Sequence, residues 1–125
     1  MKSDGNLSGR RILLIEDEYL IGFDLRNELL DRGAEVIGPV GDLDGAFAIV
    51  DSEPWIDAAV LDVNLRGELA FSLADHLIRR NIPFVFTSGY GADVIPYRLQ
   101  HIMRCDKPVR QGDIANMVAS MVFPA

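Results

Sequence analysis

The chain reads as an α/β domain: a doubly wound, parallel five-stranded sheet with helices on both faces. Three observations predict it. Strand-like and helix-like segments alternate five times along 125 residues, which is the pattern of consecutive βα units. The apolar runs are short: Arg11-Ile12-Leu13-Leu14-Ile15, Ala58-Ala59-Val60-Leu61, Phe84-Val85-Phe86 and Ile102-Met103-Arg104-Cys105. Each stops at polar residues, in turn Glu16-Asp17, Asp62, Thr87-Ser88-Gly89 and Asp106-Lys107-Pro108. In an open parallel sheet the strand C-termini share one edge, and ligands bind along it.

Residues 1–9 are polar, with two glycines, and read as a flexible N-terminal tail ahead of one domain spanning 10–125. The first strand is 11–15. A helix follows over about 18–32, with Leu20/Ile21, Leu25 and Leu29 recurring at three- and four-residue spacing. Gly33 is placed to end it in a left-handed cap. The second strand is 34–37, closed by Gly38-Pro39. A second helix runs over about 43–52, with Asp42 as N-cap and Phe47, Ile49 and Val50 facing the core. Pro54-Trp55 ends the loop into a third strand, 56–61, and Trp55 reads as a loop-to-core anchor. The third helix, 68–80, carries Leu69, Leu73/Ala74 and Leu77/Ile78 on one stripe. His76 falls off that stripe and reads as a solvated surface residue. After the fourth strand, residues 89–101 hold two glycines and Pro96, so a short, irregular helix is expected there. The fifth strand is 102–105. A last helix spans about 110–123, with Ile114, Met117, Val118 and Met121 at helical spacing.

Composition narrows the function. An apolar content of 49% can fill one core. A net charge of −7 argues against nucleic acid, which needs clustered Lys and Arg, and against anionic membranes. The single cysteine, Cys105, excludes an internal disulfide and a multi-cysteine metal site. No run has the length of a membrane span, and residues 1–9 lack the apolar stretch of a signal peptide. A cytoplasmic protein is expected.

The strand ends should bring Glu16, Asp17, Asp62, Ser88 and Lys107 to one pocket. Three carboxylates, a hydroxyl and an ammonium suit a hard cation plus a phosphoryl group. Phosphoryl transfer to a carboxylate needs a cation to neutralise oxygens, an in-line nucleophile and fixed donors for the remaining oxygens. Mg²⁺ favours one or two carboxylates with waters and substrate oxygens. Asp17 and Asp62 can supply the carboxylates, and Glu16 can act directly or through water. Asp62 is the better nucleophile, because it ends the strand expected at the sheet's centre. Lys107 can pair with the acids, and Ser88 can donate to a phosphate oxygen.

On these residues the chain resembles a response-regulator receiver domain of two-component signalling. The matching pieces are Ile15-Glu16-Asp17-Glu18, Leu61-Asp62-Val63-Asn64-Leu65, Thr87-Ser88-Gly89 and Asp106-Lys107-Pro108, after the first, third, fourth and fifth strands in turn. The resemblance covers about residues 10–123. It implies a flavodoxin-like (βα)5 fold of strand order 2-1-3-4-5, Mg²⁺ in the acidic pocket and phosphorylation of Asp62. It also implies metal coordination by the backbone carbonyl of Asn64 and a cis Lys107-Pro108 bond. The chain is similar to single-domain regulators without a DNA-binding output. Such domains receive phosphate from a sensor histidine kinase or a histidine phosphotransfer protein. They then act on a downstream protein or relay the phosphate. A homodimer is left open.

Two positions depart from the usual pattern. The hydroxyl after the fourth strand is either Ser88 or Thr87, and counting from Pro83 favours Ser88. The aromatic that most receivers carry three residues before the lysine is Arg104 here, so an aromatic switch cannot operate. The run from Phe84 to Gly91 instead resembles the subgroup named for its FATGUY motif.

Two other function classes fit the sequence less well. A haloacid-dehalogenase-type phosphohydrolase needs a second Asp two residues after its nucleophile, where this chain has Asn64. A flavin or nucleotide binder on the same fold would carry Gly, Ser or Thr after the first strand, where this chain has Glu16-Asp17-Glu18. The domain is therefore expected to be a phosphoacceptor rather than an enzyme acting on separate substrates.

Overall fold

Along β1 (Arg11–Ile15) the side chains alternate between two apolar layers. Leu13 and Ile15 join one buried cluster, and Ile12 and Leu14 join the other. The same alternation holds in β3 (Ala58–Asp62) and β4 (Phe84–Ser88), whose residues are all buried. Strands buried on both faces need apolar side chains at successive positions, which explains the unbroken runs. The computed structural model describes residues 6–123.

The remaining elements are α1 (Tyr19–Asp31), β2 (Glu35–Val40), α2 (Leu43–Ser52), α3 (Phe71–Arg79), β5 (Arg104–Asp106) and α4 (Asp113–Val122). The sheet is parallel throughout, in the order β2-β1-β3-β4-β5. This is the flavodoxin-like arrangement expected from the sequence. Helices α2 and α3 cover one face through Ala46, Val50, Leu73, Ala74 and Leu77. Helices α1 and α4 cover the other through Leu25, Leu29, Ile114, Ala115 and Val118.

Several boundaries differ from the sequence reading. Strand β2 runs through Gly38-Pro39 to Val40, with an irregular register opposite Leu13–Ile15. Helix α3 starts at Phe71, because Glu68–Leu69 instead pairs antiparallel with Asn64–Leu65. Leu69 is accordingly exposed. Helix α4 starts at Asp113, after Gly112 in a left-handed conformation at φ 92. The β4–β5 crossing contains two single-turn 3₁₀ segments, Ala92–Val94 and Tyr97–Leu99, in place of an α-helix. Ile95 and Leu99 still anchor this segment in the α2–α3 layer.

The region read as a tail also departs from expectation where it is described. Leu7 is fully buried in the α1–α4 layer, and its N–H donates to Arg32 O at 2.9 Å. Residues 1–5 lie outside the described residues. Trp55 is 57% exposed rather than anchored in the core, with the Arg11 guanidinium 4.9 Å from its ring centroid. His76 is partly buried, 2.8 Å from Asp51 Oδ1, with its ring against Phe47. Cys105 is buried, and burial pushes its thiol pKa up, as suits an inert core thiol.

Candidate functional site

Strand register places the polar strand ends side by side. Ile15 lies opposite Leu61, Asp62 opposite Thr87, and Ser88 opposite Asp106. Each strand breaks off at the same level, so Glu16, Asp62, Ser88 and Lys107 meet along one edge. One carboxylate oxygen from each of Glu16, Asp17 and Asp62 falls within 4.8 Å of the others. Glu16 and Asp62 are only 3% and 4% exposed, so bulk water screens them poorly.

Lys107 is the cation that holds these charges together. Its Nζ lies 2.8 Å from Asp62 Oδ2, 3.3 Å from Glu16 Oε1 and 3.2 Å from Glu18 Oε1. The Lys107-Pro108 bond is cis, as is Gly38-Pro39. Asp62 Oδ1 accepts the Asn64 N–H at 3.1 Å. Glu16 Oε2 accepts the Glu18 N–H at 3.0 Å, and Asp17 Oδ2 accepts the Arg66 N–H at 2.8 Å.

One lysine does not neutralise this cluster. Burial, and after it the Asp62 charge, raise the Glu16 pKa to about 7 against the pull of the Glu18 N–H and Lys107. Burial alone would lower the Lys107 pKa. The hydrogen bond and charge of Asp62, with Glu16 and Glu18, outweigh burial and leave it raised. Glu16 Oε1 is buried and, among the described residues, accepts no hydrogen bond, although the Lys107 ammonium lies 3.3 Å away. A carboxylate oxygen that accepts no hydrogen bond, clustered with two other carboxylates, fits a hard divalent cation, which takes oxygen ligands.

The two hydroxyls differ. Ser88 Oγ donates to Tyr90 O at 2.8 Å and accepts the Tyr90 N–H at 3.0 Å. Thr87 is fully buried, and its Oγ1 has no hydrogen-bond partner among the described residues. Consecutive strand residues point to opposite faces, so the two cannot share a role. Thr87→Val should therefore leave phosphorylation unchanged and raise stability by about 1 kcal/mol, as an unpaired buried hydroxyl is removed. Ser88→Ala should slow phosphorylation, the outcome expected of a hydroxyl that donates to phosphate. Phosphorylation kinetics and urea melts of both variants check this, and the opposite assignment would exchange the kinetic effects.

Sequence reasoning brought together Glu16, Asp17, Asp62, Ser88 and Lys107, and all five lie at this edge. It missed Glu18 as a partner of Lys107, and the Arg66 N–H on Asp17. The turn residues Asn64 and Gly67 were the available signal for the second. In place of the usual aromatic, Arg104 pairs with Asp106 at 2.7 Å on the outermost strand.

A parallel five-stranded sheet with this acidic edge defines a class: the response-regulator receiver domains, and the chain belongs to that family. Among solved structures it is similar to SdrG from Sphingomonas melonis Fr1, at 36% identity and a TM-score of 0.79, covering 92% of this chain and 98% of that one. The BeF3-activated conformation of SdrG, from Pseudomonas melonis Fr1, matches at 35% identity and a TM-score of 0.76, covering 93% and 98%. A response regulator receiver protein from Sinorhizobium medicae WSM419, at 24% identity, a TM-score of 0.74 and coverage of 93% and 96%, shares the fold. No protein-family model and no curated protein matches the chain. Receiver domains are phosphorylation-regulated modules of two-component signalling. Among the described residues, no helix is long and apolar enough to cross a membrane.

Proposed function

We propose that Asp62 accepts a phosphoryl group in the presence of Mg²⁺, and that the phosphorylated domain regulates a downstream protein or passes the phosphate on. The observation that carries this reading is the convergence of three carboxylates within 4.8 Å, with the Lys107 ammonium 2.8 Å from Asp62. Glu16, Asp17, Asp62 and the Asn64 carbonyl would hold Mg²⁺, which would supply charge neutralisation between the phosphate oxygens and the carboxylate. A sensor histidine kinase or a histidine phosphotransfer protein would be the donor. The chain would do no chemistry on other substrates and bind no nucleic acid.

An oxygen of Asp62 forms the new bond to phosphorus as the donor's bond to phosphorus breaks. The leaving group takes that electron pair. Asp62 is presented for this by the Asn64 N–H and Lys107, which fix both its oxygens. Lys107 remains to pair with a phosphate oxygen. Ser88 leaves the Tyr90 carbonyl to donate to another, and the 89–91 segment follows it. The output is then carried by residues 89–101, whose 3₁₀ turns are anchored by buried Ile95 and Leu99 and by the Arg98–Asp75 pair. Arg104 leaves no aromatic to carry it, in keeping with the FATGUY-like sequence from Phe84 to Gly91.

Hydrogen exchange with and without a beryllofluoride mimic and Mg²⁺ tests this. The expected result is Mg²⁺-dependent binding, with the largest protection change between residues 89 and 101. No binding would sink the phosphoacceptor reading, and a change limited to the pocket loops would sink this output route.

A further inference from the structure

The turn that follows Asp62 is strained. Arg66 and Gly67 are both left-handed, at φ 53 and φ 88. For an arginine this conformation is sterically unfavourable and persists only where neighbours enforce it. Its effect is to aim the Arg66 N–H at Asp17 Oδ2, 2.8 Å away. That bond holds the Asp17 carboxylate beside Glu16 and Asp62, with one oxygen of each within 4.8 Å of the others.

Asn64 holds the turn. Its Oδ1 accepts the Gly67 N–H at 2.8 Å. A backbone N–H can only donate, so the amide orientation is settled and Nδ2 faces the other way. There it meets the Tyr90 hydroxyl at 3.4 Å. Tyr90 is in turn bonded through its backbone to Ser88 Oγ. Hydrogen bonds thus run from Asp17, through the 64–67 turn and the Asn64 amide, to Tyr90 and Ser88. The chain half-circles the pocket and joins loops after β1, β3 and β4.

We propose that the Asn64 side chain is a positioning residue for the cation site, and that its bond to Tyr90 couples cation occupancy to residues 89–91. This rests on the reading of Asp17 as a metal ligand. The side chain acts separately from the Asn64 carbonyl, which any substitution retains. One amide serves both halves: the oxygen preorganises Asp17, and the nitrogen ties that arrangement to the segment that carries Ser88.

Mg²⁺ titration by calorimetry and amide hydrogen exchange test both halves without phosphorylation. Asn64→Ala should weaken Mg²⁺ about tenfold, the scale on which outer hydrogen-bond partners tune metal sites. Asn64→Gln should do the same, because the longer side chain cannot close the turn. In the unsubstituted protein, Mg²⁺ should slow exchange at residues 89–91. Tyr90→Phe should keep the Mg²⁺ affinity and lose that response. Unchanged affinity in both Asn64 variants would overturn the positioning role. A response that survives in Tyr90→Phe would overturn the coupling. Asp17→Asn separates the layers: equal Mg²⁺ binding by Asp17→Asn and the unsubstituted protein would refute the metal-ligand reading itself, and the inference with it.

Discussion

Incubated with Mg²⁺ and a small acyl phosphate, the protein should gain one phosphoryl group, and Asp62→Asn should gain none. The loss should be complete because an amide nitrogen is a poor nucleophile, while Asn is nearly isosteric and keeps the fold. Its side-chain oxygen can still accept the Asn64 N–H, and Lys107 keeps Glu16 and Glu18 as partners. The other strand-end acids offer no substitute site. Asp57 accepts the Arg11 N–H at 2.8 Å and pairs with Arg10 at the opposite end of β3. Asp106 is exposed and paired with Arg104. Neither belongs to the cluster of carboxylates that could hold a cation. Mass spectrometry of both proteins decides it, and a phosphoryl group on Asp57 or Asp106 in Asp62→Asn would refute the assignment.

The second large effect is on stability and depends on pH. In the metal-free protein, Glu16 titrates near 7, against an ordinary value of 4.5. A carboxyl whose folded pKa is raised binds its proton more tightly in the folded state. Below pH 4.5 it is protonated in both states and costs nothing. As pH rises from 4.5 to 7 the unfolded chain ionises freely, and the folded chain does so only at a cost. Stability therefore falls across that window, by at most about 3 kcal/mol for a shift of this size. Glu16→Gln keeps an acceptor for the Glu18 N–H and removes the charge. It should be more stable than the unsubstituted protein at pH 8 and nearly equal to it at pH 4.5. Mg²⁺ should close the gap at pH 8, because a cation compensates the carboxylate. Urea melts at the two pH values, with chelator and with Mg²⁺, measure it. A stability difference independent of pH would show that Glu16 is not the strained group.

Much of the fold is written in local sequence. The apolar runs of β1, β3 and β4 have no polar face, so they can only be interior strands of a sheet covered on both sides. Of the helix stripes read from the sequence, Leu25, Leu29, Leu73, Ala74 and Leu77 are buried, while Leu20 and Ile78 at the margins are exposed. Asp42 caps α2 as expected, accepting the Gly45 N–H at 2.7 Å. The failures fall where a nonlocal partner outweighs local pattern. Glu68 and Leu69 fit a helix, but pairing with Asn64–Leu65 draws them into a hairpin. Leu7 sits in a polar context and is buried only because α1 and α4 leave a place for it.

The sequence by itself determined the kinds of groups at the sheet edge, because each strand carries its own terminal acid, hydroxyl or lysine. Only the tertiary structure decided their electrostatics. Lys107 stands 45 residues from Asp62 and 91 from Glu16, and no local pattern encodes that meeting. The raised Glu16 pKa, the service of one lysine to three carboxylates and the Asn64 bracket all follow from strand register and burial. Charge–charge and desolvation energies depend on distance and on the loss of water, and both are properties of the packed chain.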